Sequence, residues 1–141
     1  MRSHTTGRLD AKDEAWKLER GRLAEAWFAR LIGGTLARPD QDKAERWDVR
    51  SRDGQRFDVK SIEPHHEFID GGNDRPLFPA PIVDVTRFPR EYQLLGIVEV
   101  DQWEWGRFRP GFKPCWFVPR NAIWRDWPAP IVERFAWDAE Q

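Results

Sequence analysis

The stretch Trp47–Lys60 constrains the fold more than any other part of the chain. Apolar and polar residues alternate in both of its arms: Trp47 and Val49 with Asp48 and Arg50, then Phe57 and Val59 with Arg56, Asp58 and Lys60. Period-two alternation marks a strand with one buried face. Between the arms, Arg52-Asp53-Gly54 suits a three-residue closure, a type I turn followed by a left-handed glycine bulge. That closure predicts a β-hairpin with Asp48 opposite Asp58, Arg50 opposite Arg56 and Val49 opposite Phe57. A two-residue Asp-Gly turn would set Asp48 against Val59 and mix the two faces. In the favoured register Asp48, Asp58 and Lys60 share a face, and the two acids have Cβ atoms roughly 5 Å apart. Carboxylates that close repel each other unless a cation lies between them, a role suited to a divalent metal that prefers oxygen. The same residues also read as a solvated outer face balanced by Arg50, Arg56 and Lys60.

The 141 residues make one domain, large enough for a real core, so a single unit over 1–141 is expected, with 1–9 flexible. The 23 basic and 24 acidic residues nearly cancel, so nucleic-acid binding would need a local patch rather than a global field. Such a patch exists: Lys43, Arg46, Arg50, Arg52, Arg56 and Lys60 surround the paired acids. No apolar run approaches a membrane span, and Met1–Gly7 lacks the apolar region of a secretory signal; a cytoplasmic location is expected. Cys115 is the only cysteine, which excludes an internal disulfide and a zinc–cysteine cluster. The nine tryptophans imply an aromatic core or aromatic surface kept for stacking.

Upstream of the hairpin, a helix is expected from an Asp10 N-cap to Ile32, with Asp13 and Glu14 in its first turn. Leu23, Ala24, Trp27, Phe28 and Leu31 form one apolar stripe, and Gly33-Gly34 ends the helix. Gly21 interrupts it and could split it in two. Glu25 lies at the edge of the stripe, one turn from Gly21, where a carboxylate can face an adjacent sheet or serve as an ordinary boundary residue. Thr35–Arg38 reads as a short strand and 40–46 as a polar connection.

Downstream, 62–90 reads as a long Pro-rich loop, functional or mobile: Pro64, Pro76, Pro79, Pro81 and Pro89 fall there with the Gly71-Gly72 pair. The adjacent His65 and His66 would point apart in extended chain and not share one ion. Arg87–Leu94 reads as a short helix and Leu95–Val100 as a central strand. Trp103–Phe112 interleaves arginine with aromatics, either as a nucleic-acid-contacting arm or as an edge packed on the sheet. Cys115–Val118 is expected to be a strand, Asn121–Trp127 a short helix and Ile131–Trp137 a last strand.

A helix carrying Glu25, then Asp48, then Asp58-Val59-Lys60 resembles the PD-(D/E)XK nuclease superfamily. Gly21-Arg22-Leu23-Ala24-Glu25 looks like the Gly-x-x-Ala-Glu helix start of its archaeal Holliday-junction resolvase branch. The match covers about residues 17–62. Trp47 stands in place of the motif proline, Asp58 where glutamate is more usual, and the helix that often follows the lysine strand is replaced by the Pro-rich stretch. The resemblance implies an α/β (α+β), restriction-endonuclease-like core: an N-terminal helix followed by a central mixed β-sheet flanked by helices. It implies a Mg²⁺- or Mn²⁺-dependent endonuclease hydrolysing phosphodiester bonds, DNA being the expected partner. Asp48, Asp58 and the backbone carbonyl of Val59 would hold the metal, with Glu25 joining directly or through water. Lys60 would assist the attacking water, and Arg22, Arg46, Arg50, Arg56, Arg107 and Arg109 would bind nucleic acid. Cutting both strands of a duplex would suit a homodimer. Two other readings stand beside this one: the same fold without catalysis, as a nucleic-acid-binding or protein-interaction module, and a Trp-rich interaction domain unrelated to nucleases.

Overall fold

The structure is a computed structural model that describes residues 11–38, 45–87, 91–123 and 131–134. The chain is mixed α/β and mostly β. A single long helix, α1 (Ala11–Ile32), precedes β1 (Thr35–Leu36), β2 (Val49–Arg50), β3 (Arg56–Phe57), β4 (Lys60–Ile62), β5 (Phe68–Gly72), β6 (Ala80–Asp84), β7 (Glu91–Val98), β8 (Glu104–Gly106), β9 (Cys115–Pro119) and β10 (Ile131–Arg134). Short 3₁₀ turns occupy Val100–Gln102 and Arg120–Ala122. Among the described residues, no helix is long and apolar enough to cross a membrane.

The apolar stripe of α1 is what the sequence led us to expect: Ala24, Trp27 and Phe28 are buried, with Leu23 and Leu31 packed beside them. Gly21 does not split the helix. A glycine costs about 1 kcal/mol there, less than burial of one large apolar side chain returns, about 1.5–3 kcal/mol. The helix ends in a Schellman motif. Gly33 takes φ 68°, its N–H donates to Arg30 O at 3.2 Å, and the Gly34 N–H donates to Ala29 O at 2.8 Å.

Gly34 then passes hard against β2. A Cβ at this position would stand 2.5 Å from the Arg50 carbonyl oxygen, and backbone cannot yield as a flexible side chain can. Gly34→Ala is expected to cost about 1–3 kcal/mol, read by denaturant unfolding. A change within about 0.5 kcal/mol, typical of unconstrained surface positions, would mean that α1 and β2 are free to part.

Three sheets form: β1-β2-β3, β10-β7-β6-β4 and β5-β9-β8. Pairings are antiparallel except β4 with β6, which is parallel. Only Asp58-Val59 separates β3 from β4, so one strand leaves β2 and joins β6 across that joint. The sheet so formed has two covered faces. On one, α1 packs Trp27 and Phe28 over Val49, Val83, Val85, Tyr92 and Leu94, with Phe57 and Val59 at the margin. On the other, Ile62, Ala80, Ile82 and Val98 meet Ile69 and Val118 of the third sheet, together with Trp103 and Ile123.

Several expectations are corrected here. The sheet is not flanked by helices on both faces: among the described residues α1 covers one, and the β5-β9-β8 sheet covers the other. Residues 62–90 are not one long loop, because β5 and β6 lie within them. Pro81 stands inside β6 opposite Ile97 of β7, one residue before the β4 register begins at Ile82. Within the expected Arg87–Leu94 helix, Glu91 begins the strand β7, whose buried positions are Tyr92, Leu94, Gly96 and Val98. Asn121 lies in the 3₁₀ turn Arg120–Ala122. Asp10 and 1–9, 39–44, 88–90, 124–130 and 135–141 lie outside the described residues, and with them most of the 40–46 connection and the ends of the expected Asn121–Trp127 and Ile131–Trp137 elements.

Candidate active site

The hairpin closes as its sequence demands. Gly54 takes φ 95°, its N–H donates to Ser51 O at 3.1 Å, and Ser51 N–H donates to Gln55 O at 2.8 Å. The register sets Val49 against Phe57 and Arg50 against Arg56. It does not continue to Asp48 and Asp58. The Asp48 N–H also turns to Phe57 O, at 2.7 Å, while Asp58 N–H donates to Pro79 O at 2.9 Å. Asp48 and Val49 thus both address Phe57, which makes a β-bulge, and the two arms part at the acids instead of opposing them.

The Asp48 side chain bridges that parting. Its Oδ2 accepts the Val59 N–H at 2.8 Å, which supplies a partner to an amide that has left the β2 ladder. Asp48 is 8% exposed and is the one buried charged residue among those described. Losing this acceptor would orphan the Val59 N–H, at about 1–3 kcal/mol. Asp48→Ala is therefore expected to lower stability by that amount, whereas Asp48→Asn keeps a carbonyl oxygen for the amide and loses less. Equal unfolding midpoints for wild type and Asp48→Ala would remove this structural role.

Asp58 lies in the β3–β4 joint and Lys60 opens β4 two residues on, and Lys60 Nζ stands 3.3 Å from Asp58 Oδ2. Both open into a groove of about 290 Å³ lined also by Arg46, Asn73, Asp74 and Pro76. Phe57 and Val59 face α1, and Ile62 faces the third sheet; alternation puts Asp58 and Lys60 with Ile62. Gly71 sits beside the groove where no side chain fits, since a Cβ would lie 2.7 Å from Trp103 Cζ3. Arg46 holds a left-handed backbone at φ 65°, a strained state for a residue with a side chain, and its guanidinium donates to Arg75 O at 2.8 Å.

Glu25 is half-buried on α1. Arg22 is exposed, 3.6 Å from Glu19. Arg50 and Arg56 place their guanidiniums 5.8 and 5.7 Å from the Trp47 ring centre, within cation–π range. Arg107 donates to Phe112 O at 2.6 Å, and Arg109 pairs with Glu67. No group of three or more His, Cys, Asp or Glu side chains gathers in metal-binding fashion among the described residues. Asn73 and Asp74 escaped the sequence reading; the Gly71-Gly72 pair before them was the available signal of close approach. No protein-family model matches the chain, and no curated protein sequence matches it significantly.

Proposed function

We propose that the protein is a metal-dependent nuclease of the PD-(D/E)XK type, hydrolysing phosphodiester bonds of nucleic acid, with DNA the first substrate to try. The observation that carries this reading is the Asp58–Lys60 pair, set two residues apart where the β3–β4 joint enters β4, in an open groove beside Arg46. The buried Asp48 carboxylate grips the intervening Val59 amide. A helix leading into antiparallel strands and a parallel fourth pairing supports a restriction-endonuclease-like core.

The donors suit a hard divalent ion: two carboxylates and the Val59 carbonyl fit Mg²⁺ or Mn²⁺, which keep several waters and take further oxygens from substrate phosphate. When bound, the ion supplies positive charge to the scissile phosphate and acidifies water. Lys60 orients the attacking water and offsets charge building on the phosphate. Glu25 would bind the water shell of the ion or a second ion. Arg46 binds the phosphate backbone at the groove. A homodimer would present two such sites to a duplex.

Calorimetric Mn²⁺ titration, with cleavage assays on plasmid, single-stranded and branched DNA, tests the reading. Metal binding with metal-dependent nicking is the expected result. A second reading is a module of this fold without catalysis, which needs no three-acid cluster, and none gathers among the described residues. It predicts nucleic-acid or protein binding with no Mn²⁺ uptake, even with nucleic acid present.

A further inference from the structure

Lys60 borders two cavities. One is the groove shared with Asp58 and Arg46. The other, about 370 Å³, opens beside β4 and β5, and its walls include Ile62, His66, Phe68, Ile69, Asp70 and Phe112. That volume falls in the range of small-ligand sites, about 300–1,000 Å³. Its composition is mixed, with aromatic and aliphatic walls and a few polar groups.

The aromatic wall is held rigidly. The Phe68 ring stacks on Phe108 at 4.8 Å and meets Phe112 edge-on at 5.3 Å. Phe112 nevertheless stays 40% exposed, so part of its ring is available for a ligand. Arg107 secures the Phe112 carbonyl, and Arg109 lies 5.9 Å from the Phe112 ring centre while paired with Glu67.

The polar wall is equally fixed. His66 Nδ1 accepts the Glu63 N–H at 3.1 Å, so the neutral ring carries its proton on Nε2. Partial burial, with His65 close by, holds the His66 pKa below the usual histidine value, which favours that neutral form. Arg120 clamps the loop by donating to Glu63 O at 2.7 Å and His66 O at 3.0 Å.

We propose that this cavity receives one unpaired nucleobase adjacent to the phosphate held at Lys60, so that the substrate is single-stranded or branched nucleic acid. The inference rests on the nuclease reading and specifies its substrate class. Three features converge on it. A heterocycle presents a flat face to Phe112 and a hydrogen-bonding edge to the polar wall. Its own phosphate would fall beside Lys60, which lines this cavity and the groove alike. A base stacked inside a duplex cannot enter a recess between two sheets without leaving the stack.

The test uses fluorescence anisotropy in EDTA, where metal-dependent cleavage is suppressed, with labelled single-stranded and duplex oligonucleotides of one sequence. A single abasic site is scanned along the strand. Wild type should prefer the single strand and lose affinity when the abasic site reaches one position. Phe112→Ala should weaken single-strand binding about 5- to 100-fold, the range base–aromatic stacking supplies. Phe112→Trp should restore it. Single-strand binding indifferent to both Phe112→Ala and the abasic scan, with wild-type cleavage intact in Mn²⁺, would overturn the base pocket and leave the nuclease standing. Absence of both nucleic-acid binding and Mn²⁺-dependent cleavage in wild type would overturn both.

Discussion

Lys60→Ala is expected to lower phosphodiester cleavage by about 10²–10³-fold, the loss seen when one preorganised charge-stabilising group is removed, while leaving the fold unchanged. The two effects separate because their magnitudes differ. The Lys60–Asp58 pair is 3.3 Å long and lies at a groove open to solvent, so its contribution to stability falls in the range of about 0–1 kcal/mol. A charge on the reacting phosphate is worth about 2.7–4 kcal/mol in the transition state. Asp58→Ala should go further and abolish both cleavage and Mn²⁺ uptake, because it deletes a proposed ligand. Cleavage rates, Mn²⁺ calorimetry and unfolding curves on both variants decide the matter. Full activity in both would sink the assignment of this groove as the catalytic site. Lost activity accompanied by lost structure would instead make the pair a structural strut.

The largest effect on stability is expected at Trp27. Its side chain is 0% exposed and stacks on Tyr92 of β7 with ring centres 5.7 Å apart. Trp27→Ala removes the main apolar contact between α1 and the sheet and leaves a cavity that a helix pinned at Gly33-Gly34 cannot collapse to fill. The cost should be about 3–5 kcal/mol, a large share of the roughly 5–15 kcal/mol that stabilises a typical domain. The control is Leu18→Ala on the same helix, where 71% exposure leaves little burial to lose. Denaturant titration of both variants measures the difference. A Trp27→Ala loss below about 1 kcal/mol, the ordinary centre of point-mutant effects, would contradict the docking of α1 described above.

Asp48 links these two scales. Its carboxylate both supports the joint between β3 and β4 and belongs to the proposed metal set. The Asp48→Asn variant, which can keep the Val59 hydrogen bond without the charge, should therefore separate folding from metal affinity where Asp48→Ala perturbs both.

What the sequence determined by itself was local. Residues spaced three and four apart made the α1 stripe of Ala24, Trp27 and Phe28, and two glycines ended that helix because the left-handed turn at Gly33 suits a residue without a side chain. Period-two alternation and Arg52-Asp53-Gly54 set Val49 against Phe57, since a one-residue slip would turn the apolar set to solvent. Tertiary structure decided what depends on partners distant in the chain. Near Asp48 the alternation rule failed, because a bulge and the pull of β6 on the following strand part the two acids. Residues 62–90 looked like loop because their strands are short and interrupted by proline and glycine; their hydrogen-bond partners lie on β7 and β9, and no local pattern encodes those pairings. Glu91 opens a strand and not a helix because its partner Arg134 lies on β10, far along the chain. The cavity beside Lys60 depends likewise on distant partners: His66, Phe68 and Phe112 meet only when β9 pairs with β5 and the β5-β9-β8 sheet lies over the sheet that holds β4.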